Sequence, residues 1–161
     1  PDNLVFLDEV QIKPTRAGWR QRLRPAVAAP AAFGQSLRLQ GYDLLPDPGG
    51  PILRLYWQVK RPPELALTTF IHLVDDQGAL VTQFDAPPLQ GLLSTAQWPA
   101  GALLIDRYKL VLPEGLRSGS YRLLVGLYDP ATGQRLAVQA EGGESAHFID
   151  DALIVPLYVP P

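Results

Sequence analysis

The run Gly119-Ser-Tyr-Arg-Leu-Leu-Val-Gly-Leu-Tyr-Asp-Pro-Ala-Thr-Gly-Gln-Arg-Leu136 constrains the fold more than any other part of the chain. In an extended chain successive side chains point to opposite faces. Tyr121, Leu123, Val125 and Leu127 therefore share one side, with Arg122, Leu124, Gly126 and Tyr128 on the other. Asp129 can accept bonds from turn amides, Pro130 presets its own φ, and Gly133 supplies a positive φ. The chain resumes through Gln134 to Val138, so the stretch predicts a β-hairpin.

The pattern recurs. Thr68 to Val74 leads through Asp75-Asp-Gln-Gly78 into a return run from Ala79 to Phe84. Leu53, Leu55, Trp57 and Val59 form a period-two row, opposed by Arg54, Tyr56, Gln58 and Lys60. Leu37 to Leu45, Leu103 to Leu112 and Phe148 to Val155 read as further strands, each bounded by Pro, Gly or Asp. No stretch holds a helical period over three turns. Many short amphipathic strands joined by hairpin turns predict an all-β, two-sheet antiparallel β-sandwich of about eight or nine strands, immunoglobulin-like or jelly-roll in outline. With 47% hydrophobic and 19% charged residues, the chain has the composition of a folded domain.

Residues 1–30 divide from 31–161. Leu4 to Ile12 reads as an edge strand of the sandwich, or as the last strand of a preceding domain. Lys13 to Pro30 lacks alternation and reads as a basic, Pro/Ala-rich linker carrying Lys13, Arg16, Arg20, Arg22 and Arg24. There is no cysteine, so thiolate metal sites and thiol nucleophiles are excluded. There is also no methionine, which implies a piece of a larger protein. No run reaches the ~18 apolar residues of a membrane helix. A net charge of -2 gives no global reason to expect nucleic acid as partner.

The residues that could carry chemistry are few. There is no phosphate loop, zinc helix or nucleophile elbow. The two histidines, His72 and His147, are far apart in sequence and make no metal set; each reads as a structural residue of a strand. Asp106 shares a row with Leu104, Tyr108, Leu110 and Leu112. A carboxylate there must find donors, as a satisfied structural acid or as a ligand contact. The acidic turns at Asp75-Asp76, Asp129 and Asp150-Asp151 lack the spacing of a calcium loop; turn capping accounts for them, with a structural calcium as the alternative and no other cofactor expected. Trp98, in Thr95-Ala-Gln-Trp-Pro-Ala-Gly101, either plugs the end of the sandwich or presents a sugar platform. Tyr42, Tyr56 and Tyr128, on the less apolar faces, could extend such a platform. Trp57 belongs to the core row, and Trp19 lies in the basic segment.

Phe33 to Val155 resembles a β-sandwich domain at the extracytoplasmic end of large bacterial membrane proteins, many of them like polytopic, lipid-phosphate-sugar-dependent glycosyltransferases. The likeness rests on Leu39-Gln-Gly-Tyr42, Phe70-Ile-His-Leu-Val-Asp-Asp-Gln-Gly78, Trp98-Pro-Ala-Gly101 with Asp106, Leu110-Val-Leu-Pro113, and Gly119 to Asp129 with Thr132-Gly-Gln-Arg-Leu136. It implies a location outside the membrane, tethered through a parent protein whose catalytic machinery lies elsewhere. The expected role is a non-catalytic accessory module contacting other domains of the parent or envelope components. A carbohydrate-binding module using the Trp and Tyr rings is the alternative.

Overall fold

The computed structural model describes residues 24–143 and 147–161, together with the strand backbones of 5–7 and 10–13. Trp19, Arg16, Arg20 and Arg22 lie outside the described residues. The architecture is all-β: two antiparallel sheets face each other and do not close into a barrel. The strands in chain order are β1 (Val5–Leu7), β2 (Val10–Lys13), β3 (Val27–Phe33), β4 (Leu37–Leu45), β5 (Ile52–Val59) and β6 (Thr68–Val74). They continue with β7 (Leu80–Gln83), β8 (Leu103–Lys109), β9 (Gly119–Tyr128), β10 (Val138–Ala140), β11 (Phe148–Ile149) and β12 (Ala152–Val159). A seven-stranded sheet runs β1-β2-β8-β5-β4-β3-β10, and a five-stranded sheet runs β11-β12-β9-β6-β7.

The period-two rows place the core. Leu123, Val125 and Leu127 of β9 meet Leu53, Leu55, Trp57 and Val59 of β5 in one cluster with Ile71, Leu73, Leu104 and Val155, all 2% exposed or less. Each such side chain contributes roughly 2 kcal/mol of burial. Phe33 meets Trp57 edge to face, centroids 4.9 Å apart and planes at 90°, the arrangement favoured by the ring quadrupoles. The chain passes from one layer to the other after β5, β7, β8, β9 and β10, which ties the two layers together.

The hairpin turns form as their residues dictate. Asp75 Oδ1 accepts the amides of Gln77 and Ala79 at 3.0 and 2.8 Å, and Gly78 takes a φ of 86°. Asp129 accepts from Ala131 N and Thr132 Oγ1, while Gly133 closes onto Asp129 O at 2.7 Å.

Three expectations are corrected, and the edge strand expected from Leu4 to Ile12 is subdivided. The arm after Gly133 pairs with β9 only around Tyr128 and Arg135, and Leu136 N still donates to Leu127 O. It then crosses to the other sheet, where Val138 aligns with Phe33 and Gly34 N donates to Ala137 O. The strand expected from Phe148 to Val155 is two strands, because Asp150 and Asp151 both take positive φ (47° and 58°) and make a two-residue reversal. The segment expected as linker up to Pro30 contains β3, whose register slips between Ala28 and Ala31 around Pro30, a bulge that tolerates proline. Leu4 to Ile12 holds two short strands, β1 paired with β2, and β2 aligns Ile12 with Leu104 of β8.

Candidate functional site

Asp106 lies inside the sandwich, with no exposure. Its Oδ1 accepts the amide of Leu89 at 2.9 Å, and its Oδ2 accepts the hydroxyl of Tyr108. Tyr108, having given its one proton to the carboxylate, accepts from Thr69 Oγ1 of the facing sheet at 2.6 Å. Burial pushes the Asp106 carboxyl up to about 6, against the pull of the Tyr108 hydroxyl and the Leu89 and Arg107 amides. Leu89 and Gln90 hold consecutive positive φ values of 54° and 55°, a conformation unfavourable for side chains with a Cβ. The Asp106 acceptor anchors that turn, and the buried Leu89 side chain fills the core beneath it.

Trp98 closes the same loop from above. It is fully buried, and its indole N–H donates to Leu93 O at 3.2 Å. Thr95, equally buried, accepts from Leu67 N at 2.8 Å and donates to Leu65 O at 2.7 Å, which joins this loop to the β5–β6 connection. Of its two expected roles, Trp98 takes the plug.

Tyr42, expected on the less apolar face, turns inward into the core. The register of β4 against β5 shifts between Leu39 and Gly41, and one extra residue reverses the face of everything after it. Burial raises its phenol pKa. Tyr56 does point outward, but is 7% exposed and donates to Asp43 Oδ2 at 2.6 Å; burial first, then that bond, raises its pKa. Asp43 Oδ1 also accepts Ala26 N at 2.6 Å, so the carboxylate clamps the entry to β3 onto the sheet.

Tyr128 stands on the outward face of the five-stranded sheet, its ring 6.4 Å from Phe70. Phe70 lies across Gly126, where any Cβ would come within 2.4 Å of the ring. The Arg135 guanidinium covers Phe70 at 4.3 Å from its centroid and donates to Asp150 O at 3.0 Å. His72, 5.0 Å from Phe70 and 3.6 Å from Asp85, has its pKa lowered by burial, with Asp85 pulling the other way. Tyr128 has its pKa raised, by burial and then by Asp85.

The five residues singled out from the sequence do not converge. Asp106 and Tyr42 face the core, Trp98 caps a loop, and Tyr56 and Tyr128 occupy opposite outer faces. The exposed features lie elsewhere. Edge strand β7 shows Leu80 (58% exposed) and Val81 (37%), and the same sheet exposes Ile149 and Tyr158. Tyr158 is the exposed aromatic among the described residues. Their signal in the sequence was Ala79-Leu-Val-Thr-Gln-Phe84, an uncharged run without clean alternation. An open cleft of about 520 Å³ runs between β10 and β11, where Asp151 Oδ1 accepts Val138 N at 2.8 Å and joins the layers. The described residues hold no group of three or more metal-ligating side chains, and no described helix is long and apolar enough to cross a membrane.

No protein-family model matches the chain, and neither a curated protein nor a solved structure does.

Proposed function

We propose that this chain is a non-catalytic accessory module of a larger bacterial envelope protein, held outside the membrane and docking through the edge and outward face of its five-stranded sheet. The observation that carries the reading is β7. Free strand edges invite pairing with another chain, and proteins usually blunt them with charge or proline. β12 has Pro156 at such a position, whereas β7 has neither and leaves Leu80 and Val81 in solvent.

The buried polar side chains support a scaffold role. Asp43, Thr95 and Asp106 hold backbone at loops, and Thr69 links the sheets through Tyr108. The link to a glycosyltransferase-like parent rests on the sequence resemblance. The alternative, a carbohydrate-binding module built on Trp98, Tyr42, Tyr56 and Tyr128, would require several exposed rings, and the fold buries the first three and leaves Tyr128 partly exposed.

The test is a photo-crosslinking amino acid at Leu80 in the full-length envelope protein in living cells. Reproducible cross-links from position 80 to one defined segment, absent from the same probe at Gln139, are expected. Equal or no cross-linking at both positions would remove the docking edge.

A further inference from the structure

The outward face of the seven-stranded sheet has a character the docking edge does not explain. Its outward row carries Arg54 of β5 directly opposite Arg107 of β8, a like-charged pair that disfavours the sheet by itself. Lys109 lies one step along β8, and Arg38, Lys60 and Arg61 continue the row at the far end of β4 and β5. The acids on this side are Asp43, Asp47 and Glu141. Asp43 is withdrawn, its side chain 10% exposed. Asp47 meets Lys109 at 3.1 Å, Glu141 meets Arg38 at 2.6 Å and Lys60 at 3.9 Å, and Asp43 lies 3.9 Å from Arg54, so three acids face six cations and positive charge is in excess. Arg24, exposed, stands where the chain returns to this sheet, and residues 10–42 contain no acid. In a chain of net charge -2, six cations among the described residues, Arg38, Arg54, Lys60, Arg61, Arg107 and Lys109, thus lie along this one sheet.

We propose that this face binds a linear acidic polysaccharide, with the arginines taking its carboxylates. Arginine is the side chain suited to carboxylate, through paired N–H donors. Successive outward positions on a strand are ~6.8 Å apart, so the row offers repeated charges to an extended chain. Gln58 stands between Arg38 and Leu103 in the same cross-strand row and offers an amide to hydroxyls. A membrane surface fits less well, because insertion wants a patch of exposed apolar residues, and among the described residues no strand of this sheet carries an exposed large hydrophobic, Val111 lying just past the end of β8. Single-stranded nucleic acid fits less well too, because base stacking wants a free ring and Tyr56 is covered.

The probe is fluorescein-labelled polygalacturonate, titrated with the purified chain at ~50 mM salt and again at ~200 mM, where counterion competition should weaken it. Saturable binding is expected, at least ~10-fold weaker in Arg54→Gln/Lys109→Gln and unchanged in Arg117→Gln/Arg122→Gln on the other side of the molecule. Arg38→Gln/Lys60→Gln gives a second test at the far end of the row should the first pair disturb folding, as read by thermal melting. No binding at low salt, equal loss in the control pair, or tighter binding to polyphosphate, an oligonucleotide or phosphatidylglycerol vesicles would each overturn the proposal. This experiment does not involve β7, so its failure leaves the docking edge standing.

Discussion

The two sheets of the sandwich cover the same kind of core but differ in where charge sits, acids at the turns of one and cations along the outward face of the other. Around the five-stranded sheet, Asp75, Asp76, Asp85, Asp129, Asp150 and Asp151 crowd the turns, and Arg135 is drawn down onto Phe70. On the seven-stranded sheet the arginines stand out and the one central acid, Asp43, is pulled in. Each face also lays something across a glycine: Pro25 to Val27 over Gly41, and Phe70 over Gly126. The inward rows of Leu, Val and Trp are interchangeable in role, since burial is non-directional. The outward rows are where the two layers become different surfaces.

That contrast can be tested by substitution, beginning with the glycines. A methyl at Gly41 would sit 2.1 Å from Val27 O, the backbone of a paired strand, and Gly41→Ala should cost ~3 kcal/mol or more in chemical denaturation. Gly126→Ala should cost less, ~2 kcal/mol, because its nearest obstacle is the Phe70 side chain and the nearest backbone atom, Asp151 O, is farther off at 2.8 Å. The reverse order would mean that Phe70 is held as rigidly as the strand.

Asp106 sets the pH response of the interior. The folded protein keeps its proton up to about pH 6, while the unfolded chain releases it near 3.8. The native state thus binds more protons between these values, and stability falls as pH rises through them, by ~3 kcal/mol in all. Asp106→Asn should abolish that component, so the wild-type-minus-variant difference in unfolding free energy should change across pH 4 to 6. A constant difference would show that the carboxylate is not desolvated.

Smaller effects separate the faces again. Arg135→Ala should lose ~1 kcal/mol by uncovering Phe70, whereas Arg54→Ala, whose nearest acid is 3.9 Å away, should fall within ~0.5 kcal/mol of wild type. His72 opposes Asp106 in sign. Its folded pKa lies below 6.5, so its contribution is full above that value and is lost as pH falls through the lower one. His72→Gln should flatten this acid-side loss in pH-dependent melts. Leu80→Lys should leave stability within ~0.5 kcal/mol while abolishing the cross-link pattern of a probe at Val81.

Much of the fold was legible in the residues. The rows of β5, β6 and β9, the Asp75 and Asp129 turns and the two-layer architecture followed from period two and from side chains that can bond turn amides. Asp106 stood out as a carboxylate in an apolar row. Its Leu89 partner did not, being 17 residues away. The exposure of Trp98 was equally hidden, since a loop tryptophan has the same local sequence whether it faces water or a core. Asp150-Asp151 concealed a reversal because aspartate only tolerates positive φ, whereas glycine would have announced it.

Alternation along each strand is a local property, because strand geometry sends every second side chain to the same side. The chain alone therefore determined that it would form strands and which neighbouring side chains of an unbroken strand share a side. Tertiary structure decided what bulges and crossovers control: that Tyr42 faces in, that the arm after Gly133 changes sheets, and that cations distant in sequence share one face. One inserted residue inverts every later position on a strand, and pairing between distant strands depends on contacts that no local pattern contains.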